Sequence, residues 1–205
     1  MRAGPAQTLA ALFLVLIGTP AIAGETQRAV LYEEDYANPK GMQHEGSVVW
    51  RAERVKSPDG YEEIAIRADV DIPDRRLKME MSLHRNLDPA LSASHTVEIT
   101  FSVPSDFPYG GIDNVPDLML KTSEEEKGAP LAALTVKVTD GRFLSGLSKV
   151  NEMQNLQLLR HRSWFDIPIV YTNQHRAILA IEKGQDGRRA FEAALDAWQK
   201  LDDNP

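Results

Sequence analysis

The sequence predicts a mainly β fold, either a β-sandwich or an open antiparallel barrel, with two α-helices near the C-terminus. Apolar residues alternate with polar residues in many short runs, which is typical of half-buried strands. Turn signals rich in Gly, Pro, Asn and Asp separate these runs about every ten residues. Strands follow one another without the crossover helices that parallel pairing needs, so a doubly wound α/β fold is disfavoured.

Strict alternation marks the strands in the first half of the chain. Apolar residues repeat at a spacing of two in four runs, and the residues between them are mostly polar. A turn signal at residues 57–60 joins the first two runs into a predicted hairpin. The runs are Val48, Trp50 and Ala52; Ile64, Ile66, Ala68, Val70 and Ile72; Leu77, Met79, Met81 and Leu83; and Val97, Ile99, Phe101 and Val103.

Residues that break regular structure dominate the middle of the chain. The stretch from Pro104 to Pro116 is rich in Pro and Gly, so we expect the longest loop of the domain there. Function often resides in such loops. The elements expected next are a short strand at 118–121, a solvated turn at 124–127, and a hairpin in which Leu134, Val136 and Val138 alternate before the Asp140-Gly141 turn.

The apolar period changes near the C-terminus, which predicts two helices. Asn151 can cap a helix that runs to Arg162, with Leu156 and Leu159 on one face. An apolar hairpin over residues 167–181 separates this helix from the last one. The final helix carries an apolar stripe that needs a sheet to cover: Phe191, Leu195, Trp198 and Leu201.

The N-terminus has the pattern of a secretory signal peptide over residues 1–23. The cation of Arg2 precedes an apolar run that Pro20 ends, and small residues stand at Ala21 and Ala23. We therefore expect cleavage after Ala23 and delivery to the periplasm or the exterior. The remaining chain is interpreted as an irregular lead-in at 24–46, with one candidate short strand, and a single β-rich domain at 47–205.

Composition excludes several classes of function. The chain has a formal net charge of −7 and no run of three consecutive cations, so we expect no nucleic-acid partner. It has no cysteine, which excludes disulfides, a lipid-attachment thiol and a thiolate zinc site. Beyond the signal, the apolar runs are much shorter than the ~20 residues of a transmembrane helix, so no membrane span is expected. No phosphate-binding Gly motif occurs, and we predict no cofactor.

Three residues form the strongest candidate for catalysis. His161, Ser163 and Asp166 are the residue types of an acyl-transfer triad, and they lie within six positions where a helix meets a strand. No Gly-x-Ser-x-Gly elbow exposes a serine anywhere in the chain. The alternative is that His161 complements the helix C-terminus, where cations are favoured, and this alternative is preferred.

The Pro/Gly-rich loop supplies the candidate binding residues. Phe107, Tyr109 and Ile112 are apolar or aromatic side chains that this loop could present to a partner. No metal site is predicted, because the histidines lack the spacings of metal-binding motifs. They are His44, His84, His95, His161 and His175.

The C-terminal third carries a family resemblance. The helix at Asn151 to Arg162, the hairpin at Asp166 to Glu182 and the segment from Ala190 to Leu195 together resemble the end of the invasion-associated locus B family of exported bacterial proteins. The family pattern includes cysteines, and this chain has none, so no functional residue carries over. The stretch from Trp50 to Trp198 is also similar to uncharacterised exported bacterial domains. Both resemblances imply an exported protein and no particular activity.

The function that the sequence favours is an exported envelope protein that works by binding, without catalysis. An acidic chain with a well-patterned core, a signal peptide and no catalytic motif supports this reading. Two alternatives stay open: a hydrolase that uses His161 and Ser163, and a purely structural envelope protein. The expected partner is another envelope protein, and the sequence does not determine the oligomeric state.

Overall fold

Backbone pairing organises the chain into one curled antiparallel sheet. The computed structural model describes residues 26–56 and 62–203. These residues form twelve strands in a half-barrel and two α-helices, which confirms the mainly β prediction. The signal peptide and the predicted turn at 57–60 lie outside the described residues.

The bounds of the elements follow the sequence patterns closely from the second half of β2 to β5 and from the last hairpin on. One 3-10 turn, Pro73–Arg75, lies between the third and fourth strands. The strands are β1 Gln27–Asp35, β2 Asn38–Lys56, β3 Glu62–Ile72, β4 Leu77–Arg85, β5 Ala93–Ser102, β6 Ile112–Asn114, β7 Met119–Lys121, β8 Ala129–Pro130, β9 Ala133–Thr139, β10 Arg142–Ser148, β11 Trp164–Tyr171 and β12 Arg176–Glu182; the helices are α1 Glu152–His161 and α2 Gly184–Asp203.

The strand order places sequence-distant strands side by side. It runs β8, β7, β11, β12, β1, β2, β3, β4, β5, β10, β9, and β6 pairs with β11 beside this path. The last hairpin, β11 and β12, therefore joins the first strand, β1. This connection makes β1 an internal strand of the sheet.

The lead-in expected at 24–46 is therefore not irregular, because it contains β1 and the first part of β2. Within β1, Ala29, Val30 and Leu31 are all fully buried, so both faces of the strand are covered. In a strand buried on both faces, apolar residues follow one another without polar residues between them, so the strand lacks the alternation that predicts strands from sequence.

The concave face of the sheet forms most of the core. Leu31, Leu179 and Ile167 align across β1, β12 and β11 and are completely buried. The rows on β2 to β5 that the sequence predicts face the same side, including Trp50 and Met81. Burial of these apolar side chains provides the main stabilisation of the fold. It contributes about 25 cal/mol for each Å² of apolar surface removed from water.

The final helix covers the concave face, as its apolar stripe predicts. Phe191 and Trp198 of α2 are buried, and the Phe191 ring contacts those of Trp50 and Phe165 at centroid distances of 5.4 and 5.7 Å. The indole nitrogen of Trp198 donates a hydrogen bond of 2.9 Å to the carbonyl of Ile64. Neither helix in the described part of the chain has the length and apolar content that a membrane span requires.

Candidate functional site

The candidate site is a groove on the convex face of the sheet, over β1, β12 and β11. Tyr32 aligns with Ile178, and Ile178 aligns with Pro168, so these three side chains share the convex face and form the floor. The Ile178 side chain is 38% exposed in this position. An exposed Ile in the centre of a sheet differs from the buried row on the concave side, because no residue of the described part of the chain covers it.

Two segments form the walls of the groove. One is residues 36–41, which are the turn after β1 and the first residues of β2. The other is the connection from β7 to β8, residues 122–128, which we call the strap. They enclose two adjacent cavities of about 750 and 480 Å³, which share Tyr32 and Ile178. Each volume lies in the range of ligand pockets, which is about 300–1,000 Å³.

The strap is fixed to the sheet by one carboxylate. Glu124 accepts hydrogen bonds from the Arg28 guanidinium and from the Tyr32 hydroxyl. Burial raises the pKa of the Tyr32 phenol, which keeps this hydroxyl a donor. The solvated turn expected at 124–127 is thus held down at its first residue, and the strap helps to cover Val30, which is fully buried although it lies on the convex face.

A buried ion pair closes one end of the groove. The Lys121 ammonium lies 2.8 Å from the Asp166 carboxylate, and both residues are 5% exposed. Lys121 also donates to the carbonyl of Glu124 at 2.5 Å. Burial raises the pKa of the Asp166 carboxyl, and the hydrogen bond and charge of Lys121 oppose that shift. The Asp166 carboxylate is therefore the ion-pair partner of the Lys121 ammonium.

The charges that line the groove are mainly negative. Seven acidic and four basic residues line the two cavities. Glu34 is partly engaged, since its carboxylate accepts a 3.2 Å hydrogen bond from the Arg176 backbone. Glu33 faces the concave side, and Glu124, Glu126 and Asp166 are paired with Arg28, Arg162 and Lys121. The carboxylates left to attract a cationic ligand are Glu34, Asp35 and Glu125, and the apolar floor offers contact to its aliphatic parts. The acidic residues are Glu33, Glu34, Asp35, Glu124, Glu125, Glu126 and Asp166, and the basic ones are Lys40, Lys121, Lys127 and Arg176.

A second polar cluster lies behind the groove, on the concave side. The Glu33 carboxylate accepts a 2.6 Å hydrogen bond from the Tyr171 hydroxyl and contacts the Arg75 guanidinium at 3.0 Å and the His44 ring at 3.2 Å. Its side chain is 1% exposed. Burial and the neighbouring Glu33 raise the pKa of the Tyr171 phenol, so Tyr171 stays protonated. This cluster joins β1, β2, β11 and the 3-10 turn.

The same cluster holds the loop that the sequence selected as a binding element. The Arg75 guanidinium lies 5.1 Å from the Phe107 ring centroid and 5.0 Å from that of Tyr109. Phe107 and Ile112 are 5% and 3% exposed, respectively, while Tyr109 is half-buried. Two of the three side chains thus belong to the core, because the loop folds back over the end of the half-barrel instead of projecting from it. Their role in binding stays a prediction.

The structure does not bring the three catalytic candidates together through hydrogen bonds. His161 is exposed at the end of α1, and Asp166 is paired with Lys121. The Ser163 backbone joins β7 to β12, since its N–H donates to the Lys121 carbonyl and its carbonyl accepts from the Lys183 N–H. Within the described ranges, no side-chain hydrogen bond links any two of these residues. The hydrolase hypothesis stays a prediction without geometric support.

Sequence reasoning did not identify the groove residues. Tyr32 and Ile178 are ordinary strand residues in the sequence, and Glu33 lies in a short acidic run with Glu34 and Asp35. The continuous run from Ala29 to Tyr32 was the one available signal, because it indicates a strand covered on both faces. Across residues 26–56 and 62–203, no group of three or more acidic or His side chains is arranged to hold a metal ion.

Comparisons of the chain with known protein families, with curated proteins and with solved structures found no match. The resemblance to the invasion-associated locus B family therefore stays a prediction. The functional argument rests on the groove itself.

Proposed function

We propose that this chain is an exported, non-catalytic binding protein whose convex groove holds an extended segment with basic and apolar residues. The observation that carries this proposal is the exposed apolar floor at Ile178, with Glu34 and Asp35 of β1 beside one cavity and Glu124, Glu125 and Glu126 of the strap beside the other. The groove suits an extended chain, because its two cavities lie side by side and share Tyr32 and Ile178 in their linings. An extended peptide alternates its side chains, so one row can contact the floor while the other reaches the walls.

The chemistry of the groove supports binding over catalysis. General base or nucleophilic catalysis needs a reactive side chain beside a group that activates it. The most buried carboxylate of the groove, Asp166, is instead bound to Lys121, and Glu124 is bound to Arg28 and Tyr32. These interactions fix the shape of the groove. They leave the partly exposed carboxylates, such as Glu34, to attract a cation.

The test uses two fluorescent peptides of equal length, one alternating Lys with Leu and one alternating Glu with Leu. Fluorescence anisotropy should show saturable binding of the Lys peptide and much weaker binding of the Glu peptide. The Ile178→Lys variant should weaken binding of the Lys peptide about tenfold, because it removes floor contact and adds a repelling charge. Val150→Lys is the matched control, since Val150 is 95% exposed and lies outside the groove.

Two results would contradict the groove proposal. The first is failure of the wild-type protein to distinguish the Lys peptide from the Glu peptide. The second is equal loss of binding in the Ile178→Lys and Val150→Lys variants, because that would mean the peptide associates with the surface in general.

Export is part of the same proposal and has its own test. The signal pattern at residues 1–23 supports delivery to the periplasm or the exterior. N-terminal sequencing of the protein recovered from the periplasm or medium should begin at Gly24. Recovery of the full-length chain from the cytoplasm alone would contradict export.

A further inference from the structure

The last strand of the sheet, β9, ends the sheet with an open edge. It pairs with β10 on one side, and no backbone hydrogen bond joins its other side to any residue within the described ranges. Such an edge presents a row of N–H and C=O groups that can pair with another strand. Edge strands of natural proteins usually carry charges or bulges that prevent this pairing.

β9 has one irregularity, at Val138, where its register with β10 shifts by one residue, and its convex side carries exposed apolar residues. Leu134, Val136 and Val138 alternate along the strand and are 74%, 48% and 57% exposed. The sequence predicts that an alternating apolar row faces the core, yet here the row faces outward. The concave side of β9 carries Thr135, whose hydroxyl bonds that of Ser145 at 2.6 Å. The polar side of β9 thus faces the interior, and the apolar side is uncovered.

The one charge on the strand is already neutralised within the chain. The Lys137 ammonium lies 3.2 Å from the Asp140 carboxylate and 3.7 Å from that of Asp113. Lys137 therefore offers little repulsion to a strand that approaches the open edge. An open edge, an apolar row and a neutralised charge together favour association with another extended strand.

We propose that two copies of this chain associate through antiparallel pairing of their β9 strands, with a two-fold axis at Val136. In this register, Leu134 of one copy lies opposite Val138 of the other, and the two Val136 residues face each other. Leu134 and Val136 lie on the convex face in register with β10, and Val138 lies at the register shift, so the two Val136 residues at the axis define the contact. Lys137 lies opposite Thr135 of the second copy, so no like charges are directly opposed.

Self-pairing is favoured over a different partner because the strand is complementary to itself. Reversal of the row Leu134, Val136, Val138 gives the same row of large apolar side chains, so one register satisfies both copies. The dimer also joins two sheets into one continuous sheet, so the β9 edge of each copy is no longer open. This surface is separate from the groove, which lies over β1, β11 and β12. Its test is therefore independent of the binding function.

Sedimentation equilibrium of the purified protein gives the first test. The wild-type protein should show a monomer–dimer equilibrium. Val136→Lys should weaken dimerisation at least about tenfold, because it places two ammonium groups opposite each other at the axis. Met153→Lys is the control, since Met153 is 79% exposed on α1, away from the edge. A wild-type protein that stays monomeric would overturn the proposal, and so would an unchanged dimer in Val136→Lys.

Disulfide trapping tests the register. The chain has no cysteine, so a single introduced thiol can react only between copies. Directly opposed residues of an antiparallel pair have Cα atoms about 4.5–5.5 Å apart, within the range that a disulfide spans. Val136→Cys should therefore form a covalent dimer under mild oxidation. Val138→Cys should not, because its two copies are offset by four residues along the strands, or about 13 Å. Equal crosslinking of both variants would exclude the proposed register.

Discussion

Replacement of Lys183 by Met should change how the stability of this protein depends on pH. Lys183 lies between β12 and α2 and is completely buried. Its ammonium donates a hydrogen bond to the Leu159 carbonyl and lies 4.0 Å from the Phe191 ring centroid. Burial, together with the charge of Arg188, lowers the pKa of Lys183 from 10.5 to about 7.

The sign of the effect follows from proton binding. Between pH 7 and 10.5 the unfolded chain keeps the Lys183 proton, whereas the native state has largely released it. Because the unfolded state binds more protons in this window, this residue makes the native state more stable as the pH rises. With a native pKa of about 7, the gain between pH 7 and pH 9 is about 2 kcal/mol.

The Lys183→Met variant lacks this linkage but keeps an unbranched apolar side chain of similar length. Urea unfolding at pH 7, 8 and 9 should show the wild-type free energy of unfolding rising by about 2 kcal/mol relative to the variant. Loss of the hydrogen bond to Leu159 shifts the variant equally at every pH, so it does not affect this difference. Lys200→Met is the matched control, because Lys200 is exposed on α2 and should leave the pH dependence unchanged.

One result would refute the reasoning about Lys183. If the difference in unfolding free energy between wild type and Lys183→Met stayed constant from pH 7 to pH 9, the Lys183 ammonium would not be desolvated in the native state. The packing of Phe191 of α2 against Phe165 would then have to admit water to the Lys183 side chain.

Three further predictions concern buried polar groups. Burial lowers the pKa of His95 to about 4. Between pH 7 and pH 5 only the unfolded state gains the proton, so the wild type should lose about 2 kcal/mol of stability relative to His95→Gln. Parallel urea titrations that show no difference would contradict this. Tyr171→Phe should destabilise the fold by about 1–3 kcal/mol, because it removes the 2.6 Å hydrogen bond to buried Glu33; an unchanged urea midpoint would show that the bond contributes nothing. Asp166→Ala should lower the stability by about 3–5 kcal/mol, because it leaves Lys121 unpaired, and adding Lys121→Met should recover much of that loss. Thermal denaturation should rank the single variant below the double variant.

The fold was largely predictable because alternation of apolar and polar residues along a strand indicates which side chains are buried. In β3, β4 and β5 the core residues recur at every second position, and the local geometry of a strand sends those side chains to one face. The stripe on α2 was predictable for the same reason, since Phe191 and Trp198 lie on one side of a helix. These patterns depend only on neighbours in the sequence.

The candidate site was not predictable, because it is assembled from distant parts of the chain. Tyr32 and Ile178 are 146 positions apart in number but adjacent across β1 and β12. Asp166 was identified as chemically interesting, but its partner Lys121 comes from β7, which pairs with β11 through long-range contact. Glu33 was not identified, because its three partners, Tyr171, Arg75 and His44, are contributed by other elements.

The sequence by itself determined the mainly β class, the two helices, most strand bounds and the absence of any disulfide. Tertiary structure alone decided which face of each element is covered. The contrast between β4 and β9 shows this most clearly, because both strands alternate apolar and polar residues. The apolar row of β4 is buried, whereas Leu134, Val136 and Val138 of β9 face outward. Alternation is a property of the local backbone, but burial depends on what packs against each face, and that is supplied by residues far away in the sequence.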